Sequence, residues 1–247
     1  MHASSPLLPS DLPHTNAPAI SIILPVLNEA RQLSSRLAAL LAQTAGHACE
    51  IIVVDGGSQD QTPEIAAGFP VQLVTAERAN RGWQMNAGAR NAQNEVLLFL
   101  HADVQLPAGA FQELARALGD ENVVGGCFQI RFPAEAPRSL HLVAWGINWR
   151  TRWFRTATGD QAIFVRRDVF AALGGFQPLP LMEDIAMFHA LKRRGNVAIL
   201  DSQVVISPRR WLQFGVWRTV LLMYALRAGY WLGISPATLK RFFVDVR

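Results

Sequence analysis

The chain has 247 residues, half of them hydrophobic and only 17% charged, with a formal net charge of +4. That balance excludes an intrinsically disordered chain and allows one sizeable α/β core, while two cysteines, Cys49 and Cys127, exclude a disulfide framework and form no C-x-x-C pair for zinc or redox work. The basic residues are almost all arginine, with Lys192 and Lys240 the only lysines, which suits phosphate or an anionic surface, but no basic run carries the interleaved aromatics of a nucleic-acid groove.

Residues 1–18 lack the basic start and continuous apolar run of a signal peptide and are expected to form a flexible tail. The run AISIILPV (19–26) then reads as a strand covered on both faces. A helix should follow, with Leu33, Leu37, Leu40 and Leu41 at helical spacing and Asn28 as its cap. EIIVVD (50–55) is a second strand, and Thr62 and Pro63 suit the cap and first position of a second helix. VQLVTA (71–76) predicts a third strand, 83–92 a helix, EVLLFL (95–100) a fourth strand and 109–118 a further helix. This alternation predicts a parallel sheet with helices on both faces. Ligands of such sheets bind beyond the carboxyl ends of the strands, where this chain carries Asn28 and Glu29, Asp55 to Ser58, Arg78 to Gly82, and His101 to Asp103.

His101 and Asp103 are alternate residues on a segment read as extended, so both side chains should point to one side. A ring nitrogen and a carboxylate placed so can hold Mn²⁺ or Mg²⁺ beside a diphosphate. Equally, Asp103 can cap the turn into VQLPAG while His101 is merely hydrogen-bonded.

The segments SIILPVLNEA, IIVVDGGSQDQT, RGWQMNAGARNAQNEVLLFLHADVQLP, GDQAIFVRRDVFAALGGF and LMEDIAMFHALKRRG follow one another over residues 19–211. In order and spacing they resemble family 2 glycosyltransferases with the GT-A fold, most closely the radical-SAM/selenodomain-associated transferases linked to arsenosugar biosynthesis. The resemblance implies an α/β GT-A fold: a Rossmann-like, mostly parallel sheet flanked by helices, with residues 19–210 as the transferase domain and 211–247 as an apolar helical extension. It implies sugar transfer from a nucleotide-diphosphate donor, UDP-linked because uridine is the base that a carboxylate at Asp55 would favour, to an acceptor hydroxyl with inversion.

By the same resemblance, Pro25, Asn28, Glu29, Asp55 and Gly57 hold the base and ribose, and Arg78, Arg81 and Gly82 lie before a helix at a phosphate-binding position. Asp55 is equally suited to capping the GGS turn. The family's Asp-x-Asp metal motif reads His101-Ala102-Asp103 here, which assigns Asp103 to the divalent cation and leaves His101 to the cation, the ribose or neither. Glu183 and Asp184 match the pair that supplies the general base, with Asp184 as base and Glu183 second; at a helix start the dipole would favour both carboxylates in any case. Gly159, Asp160 and Gln161 fall where relatives meet donor and acceptor sugars, although Gly159-Asp160 is also good turn chemistry. Arg210 and Trp211 match the end of a Gln-x-x-Arg-Trp acceptor motif in which Ser207 replaces the glutamine.

Residues 211–234 are apolar but for Arg218 and Arg227, and their longest unbroken stretch is well short of the roughly 20 residues that span a bilayer. At about 100° per residue the two arginines fall on opposite sides of a helix. A helix apolar nearly all round is buried, paired with a second copy, or set into a membrane surface. The expected location is cytoplasmic, with peripheral contact at the inner membrane face as one outcome and a lipid-linked or hydrophobic acceptor to match. A nucleotidyltransferase or a dehydrogenase would carry a glycine-rich loop where PVLNEA stands. A sugar-nucleotide-binding or membrane-adaptor protein without turnover is the other alternative, motivated by His101 and opposed by Asp103 and Asp184.

Overall fold

The computed structural model describes residues 17–243, so all but the last two residues of the expected tail lie outside it. In chain order the elements are β1 (Ile20–Val26), α1 (Ala30–Thr44), β2 (Cys49–Asp55), α2 (Thr62–Ala67), β3 (Gln72–Thr75), α3 (Arg81–Asn91), β4 (Val96–Phe99), β5 (Val104–Gln105), α4 (Ala110–Leu118), β6 (Val123–Arg131), α5 (Arg138–Phe154), β7 (Phe164–Arg166), α6 (Arg167–Ala172), α7 (Glu183–Arg194), β8 (Asn196–Ile206), α8 (Arg209–Phe214), α9 (Val216–Trp231) and α10 (Pro236–Lys240).

The strands form one sheet in the order β3-β2-β1-β4-β7-β6-β8-β5. β3, β2, β1 and β4 are parallel, as their continuous apolar runs predict. β7 is antiparallel to both β4 and β6, β6 pairs parallel with β8, and β5 closes the edge antiparallel to β8. The expected mostly parallel sheet is therefore a parallel half joined through β7 to a mixed half. The difference arises after residue 100, where strict strand-helix alternation ends.

Successive residues of β1 enter opposite layers. Ile20, Ile22, Leu24 and Val26 pack with Leu33, Leu37 and Leu40 of α1 and with Phe111 and Leu114 of α4. Ile23 faces the other way, toward Met85 and Ala87 of α3 and Phe188 and Leu191 of α7. The period of two carries one strand into two cores, so the sheet is sealed on both faces. At Gly88 a β-carbon would fall 2.4 Å from Ile23 Cγ2, so α3 sits on the sheet at a distance only glycine permits.

Three expected helix starts are displaced. Asn28 does not cap α1: its backbone is left-handed (φ 55°), and its side chain accepts the Gln59 N–H at 2.8 Å, tying the loop after β1 to the loop after β2. Thr62 is the first residue of α2 rather than its cap, with Gln61 before it. α3 begins at Arg81, two residues early, because Asn80 accepts the Trp83 N–H at 3.1 Å and serves as the cap.

Candidate active site

β1 pairs with β4 only as far as Ile23 opposite Phe99, but with β2 as far as Val26 opposite Asp55. Ile23 turns its carbonyl toward β4, where it accepts the Leu100 N–H at 3.0 Å. Pro25 faces the same side two residues later, past the end of that ladder, where a residue without an N–H loses nothing. The chain crosses from the β3 edge to β4 at this point, so the crevice opens at the sheet's topological switch.

On its β2 side, Asp55 is buried and its carboxylate accepts from Gly57 N at 2.9 Å, Ser58 N at 3.0 Å and the Ser58 hydroxyl. The turn-capping reading is thus what the geometry shows. A carboxylate has about four lone-pair sites, so capacity for one further donor remains. Gly57 at φ 89° makes the turn possible. Ser58 also accepts the Asn28 N–H at 2.9 Å, and Thr62 accepts the Glu29 N–H at 2.8 Å. Gln84, which sequence reading missed, is buried beneath this floor and donates to Val26 O at 2.8 Å and Val54 O at 2.9 Å, joining the ends of β1 and β2. An amide one turn into a helix, facing two strand ends, was the available signal.

The opposite wall is built by α3 and the loop into α7. Arg81 and Gly82 lie inside the first turn of α3 rather than before it. Arg78 precedes the helix, its guanidinium 5.1 Å from the Trp83 ring. Asn80 donates to Leu179 O at 3.1 Å, while Asn86 donates to Phe176 O and accepts from Phe176 N, each at 2.8 Å. These bonds fix the loop on α3 and so set the start of α7. Met182, just before it, is left-handed at φ 69°, an uncommon conformation for a side chain of this size. Met182 and Ile185 are held by Leu226 of α9 and Leu239 of α10. Glu183 and Asp184 therefore occupy an over-determined helix start.

Four segments converge there. Asp184 Oδ2 accepts the Gly159 N–H at 2.7 Å, and a β-carbon on Gly159 would fall 3.6 Å from that oxygen and 2.6 Å from His101 Nε2. The His101 ring and the Asp184 carboxylate thus flank one glycine. Burial and the Arg81 charge hold His101 well below the ordinary imidazole range, so the ring is neutral, and its buried Nε2 has no hydrogen-bond partner. Asp160 is pushed up by burial and by Asp184 and Asp103, against the pull of Thr158 and Arg150. Glu183, buried and next to Asp184, is pushed up to about 7.

His101 to Val104 form a turn closed by His101 O and Val104 N at 3.0 Å. They are not the extended segment expected, because β4 ends at Phe99. Asp103 is exposed at its rim, within electrostatic reach of Asp160. Among the described residues no three His, Cys, Asp or Glu side chains are grouped to hold a metal on their own.

Three expected sugar contacts are engaged elsewhere. Gln161 is buried, donates to Phe128 O and Thr151 Oγ1 at 3.1 Å, and accepts from Thr158 N at 3.0 Å; its amide shapes the Gly159–Gln161 turn from below. Trp211 is core, meeting Phe132 edge to face at 5.9 Å, and Arg210 lies over the Phe243 ring at 4.3 Å. Conversely, sequence reading missed Arg150, which stands in electrostatic reach of Asp160 and Asp184, as does Arg227. Arg227 turns inward and Arg218 outward, on opposite sides of α9 as expected. It also missed α5, whose exposed Leu142, Trp145, Trp149 and Trp153 recur at helical spacing.

The family model described as Glycosyl transferase family 2 matches residues 21–175. A PGL/p-HBAD biosynthesis glycosyltransferase of Mycobacterium bovis (strain BCG / Pasteur 1173P2) is 32% identical over 169 residues, covering 65% of this chain and 64% of that protein. Glycosyltransferase AglE of Haloferax volcanii is 36% identical over 93 residues, covering 35% of this chain and 31% of that one. S. aureus TarS 1-349 in complex with UDP is similar with a TM-score of 0.61 and 18% identity, covering 77% of this chain and 61% of that chain. The mannosyltransferase PcManGT from Pyrobaculum calidifontis, in complex with GDP-Man and Mn2+, gives 0.54 and 22%, covering 75% and 56%. The chain spans just under two thirds of the mycobacterial relative, and its likeness to the solved structures is one of fold.

Proposed function

In a chain that belongs to glycosyl transferase family 2, we propose that the crevice binds a nucleotide-diphosphate sugar, UDP-linked, and transfers the sugar to an acceptor hydroxyl with inversion. The observation that carries this reading is the meeting of His101, Gly159 and Asp184 at the carboxyl edge of the sheet. Residues 19–210 act as the transferase domain and 211–247 as a C-terminal extension. The narrower placement beside the radical-SAM/selenodomain-associated, arsenosugar-linked transferases rests on motif resemblance alone.

The nucleotide lies across Pro25, Asn28, Glu29 and the Asp55–Gly57 turn, with uracil donating to the remaining lone pair of Asp55. Arg78, Arg81 and the α3 start around Gly82 face the diphosphate. The acceptor oxygen attacks C1 once, the C1–O bond to the diphosphate breaks with its electron pair, and the hydroxyl proton passes to Asp184. One displacement inverts the configuration. Asp184 is aimed for this by the Gly159 N–H, which leaves lone pairs free on both oxygens.

A hard divalent cation, Mn²⁺ or Mg²⁺, fits the donor set: Asp103 is exposed and in electrostatic reach of Asp160, and diphosphate oxygens would complete an oxygen shell. Asp103 would hold it, with the partnerless Nε2 of His101 as the second candidate. When bound, the cation offsets charge on the departing diphosphate.

Trp145, Trp149 and Trp153 of α5 and Trp217, Leu221 and Tyr224 of α9 form exposed apolar faces on helices that pack together. No helix among the described residues is long and apolar enough to cross a membrane. Aromatic rings beside arginines suit the lipid headgroup boundary, so we read this face as a peripheral contact with the inner membrane surface. A panel of nucleotide sugars, scored by thermal shift and hydrolysis with and without Mn²⁺, tests the reaction. No shift with any sugar nucleotide would refute it.

A further inference from the structure

α5 and α9 send one guanidinium each inward, behind the aromatic faces they turn to solvent. Arg150 Nε and Nη2 and Arg227 Nη1 are buried and have no hydrogen-bond partner. Arg227 Nη2 donates to Thr156 Oγ1 at 3.3 Å, which orients the group without neutralising it. No carboxylate among the described residues lies within ion-pair distance of either arginine. Asp184 is engaged by the Gly159 and Ile185 N–H groups and Asp160 by Thr158. Burial, and the charge of Arg150, pull Arg227 down to about 10.

Two like charges, close enough to oppose each other and holding unsatisfied buried donors, are a costly arrangement that the charges of Asp160 and Asp184 offset without any direct bond. A doubly charged oxyanion relieves both costs, because a guanidinium fork matches two oxygens of one phosphate. The position identifies which ligand it belongs to. Arg78 and Arg81 belong to the α3 wall, assigned above to the donor's diphosphate, whereas Arg150 and Arg227, on α5 and α9, are in electrostatic reach of Asp160 and Asp184, where the proposed acceptor presents its hydroxyl.

We propose that Arg150 and Arg227 form a second anion site that holds a phosphate group of the acceptor beside Asp184, so that the acceptor is a phosphorylated hydroxyl compound. This rests on the transferase reading above. The phosphate belongs either to a soluble phosphomonoester or to a lipid headgroup, and the aromatic faces on the same two helices give the second source a route to the site.

The test uses the full chain saturated with UDP and Mn²⁺, so that the donor site is filled. Glycerol 3-phosphate is titrated by ligand-observed NMR, and phosphatidylcholine vesicles with and without phosphatidic acid are scored by flotation. The wild type should bind one or both phosphates. The double variant Arg150→Gln/Arg227→Gln should weaken that binding at least tenfold while its UDP affinity stays within threefold. Loss of the soluble ester alone names a soluble acceptor, and loss of vesicle binding alone names a lipid phosphate. Unchanged phosphate binding, or UDP affinity that falls in parallel, overturns the proposal. If the double variant does not fold, Arg227→Lys, which keeps the charge and loses the fork, decides by the same measurements. Failure of UDP itself to bind the wild type would instead refute the transferase reading.

Discussion

Asp184 accepts the Gly159 N–H at 2.7 Å, across 25 positions of sequence, and this bond aims the carboxylate into the crevice. Asp184→Asn keeps an acceptor oxygen for that N–H, loses the one that accepts the Ile185 N–H, and cannot take a proton. Transfer should fall by about 10²–10⁴-fold, roughly 3–5 kcal/mol of transition-state stabilisation, with donor binding little changed and stability lowered only by about 1 kcal/mol for the lost bond. Glu183→Gln should cost less. A transfer rate within about threefold of wild type for Asp184→Asn would move the base to Glu183 or Asp160.

Glu183 predicts a pH dependence of stability. Its folded value, about 7, lies above the ordinary 4.5 because of burial and then Asp184, so the native state holds the proton more tightly than the unfolded chain. Its contribution is complete below about pH 4.5 and is lost as pH rises through about 7, a change on the order of 3 kcal/mol. Glu183→Gln cannot ionise. It should melt several degrees above wild type at pH 8 and alongside it at pH 4; parallel melting curves across that range would refute the assignment.

Gly159→Ala places a methyl 2.6 Å from His101 Nε2, so the ring or the turn must move. Overpacking of this kind costs about 1–3 kcal/mol, and transfer should drop at least tenfold with it. Adding His101→Ala should restore the lost stability by making room. Equal melting temperatures for the single and double variants would show that the two groups do not share this space.

Asp103→Ala should abolish Mn²⁺-stimulated UDP binding and leave the fold intact, since the side chain is exposed. Calorimetry is the measurement. Equal UDP affinity in the variant, or in wild type with chelator, would remove the cation from the mechanism.

Serine at Trp149 and Trp153, which are stacked at 5.9 Å on the exposed face of α5, should weaken flotation with anionic vesicles without changing melting. Loss of dimer on light scattering, with flotation unaltered, would assign the face to a second copy. Truncation after Trp211 is a poorer test, because Leu226 and Leu239 pack against Met182 and Ile185 beside the candidate site.

By itself the sequence determined the parallel half of the sheet, α1 to α4, and the strand ends that carry Asn28, Asp55 and His101, since hydrophobic period and strand-helix alternation are local properties of the chain. It also placed Glu183 and Asp184 at a helix start. Tertiary structure alone decided that Gly159 stands between His101 and Asp184, and that Gln161 and Trp211 face the core. It likewise decided that Arg150 and Arg227 turn toward the carboxylates from helices whose outer faces are apolar. Each of these depends on contacts between segments far apart in sequence, and a polar side chain's local pattern does not record which distant group will satisfy it or leave it unpaired.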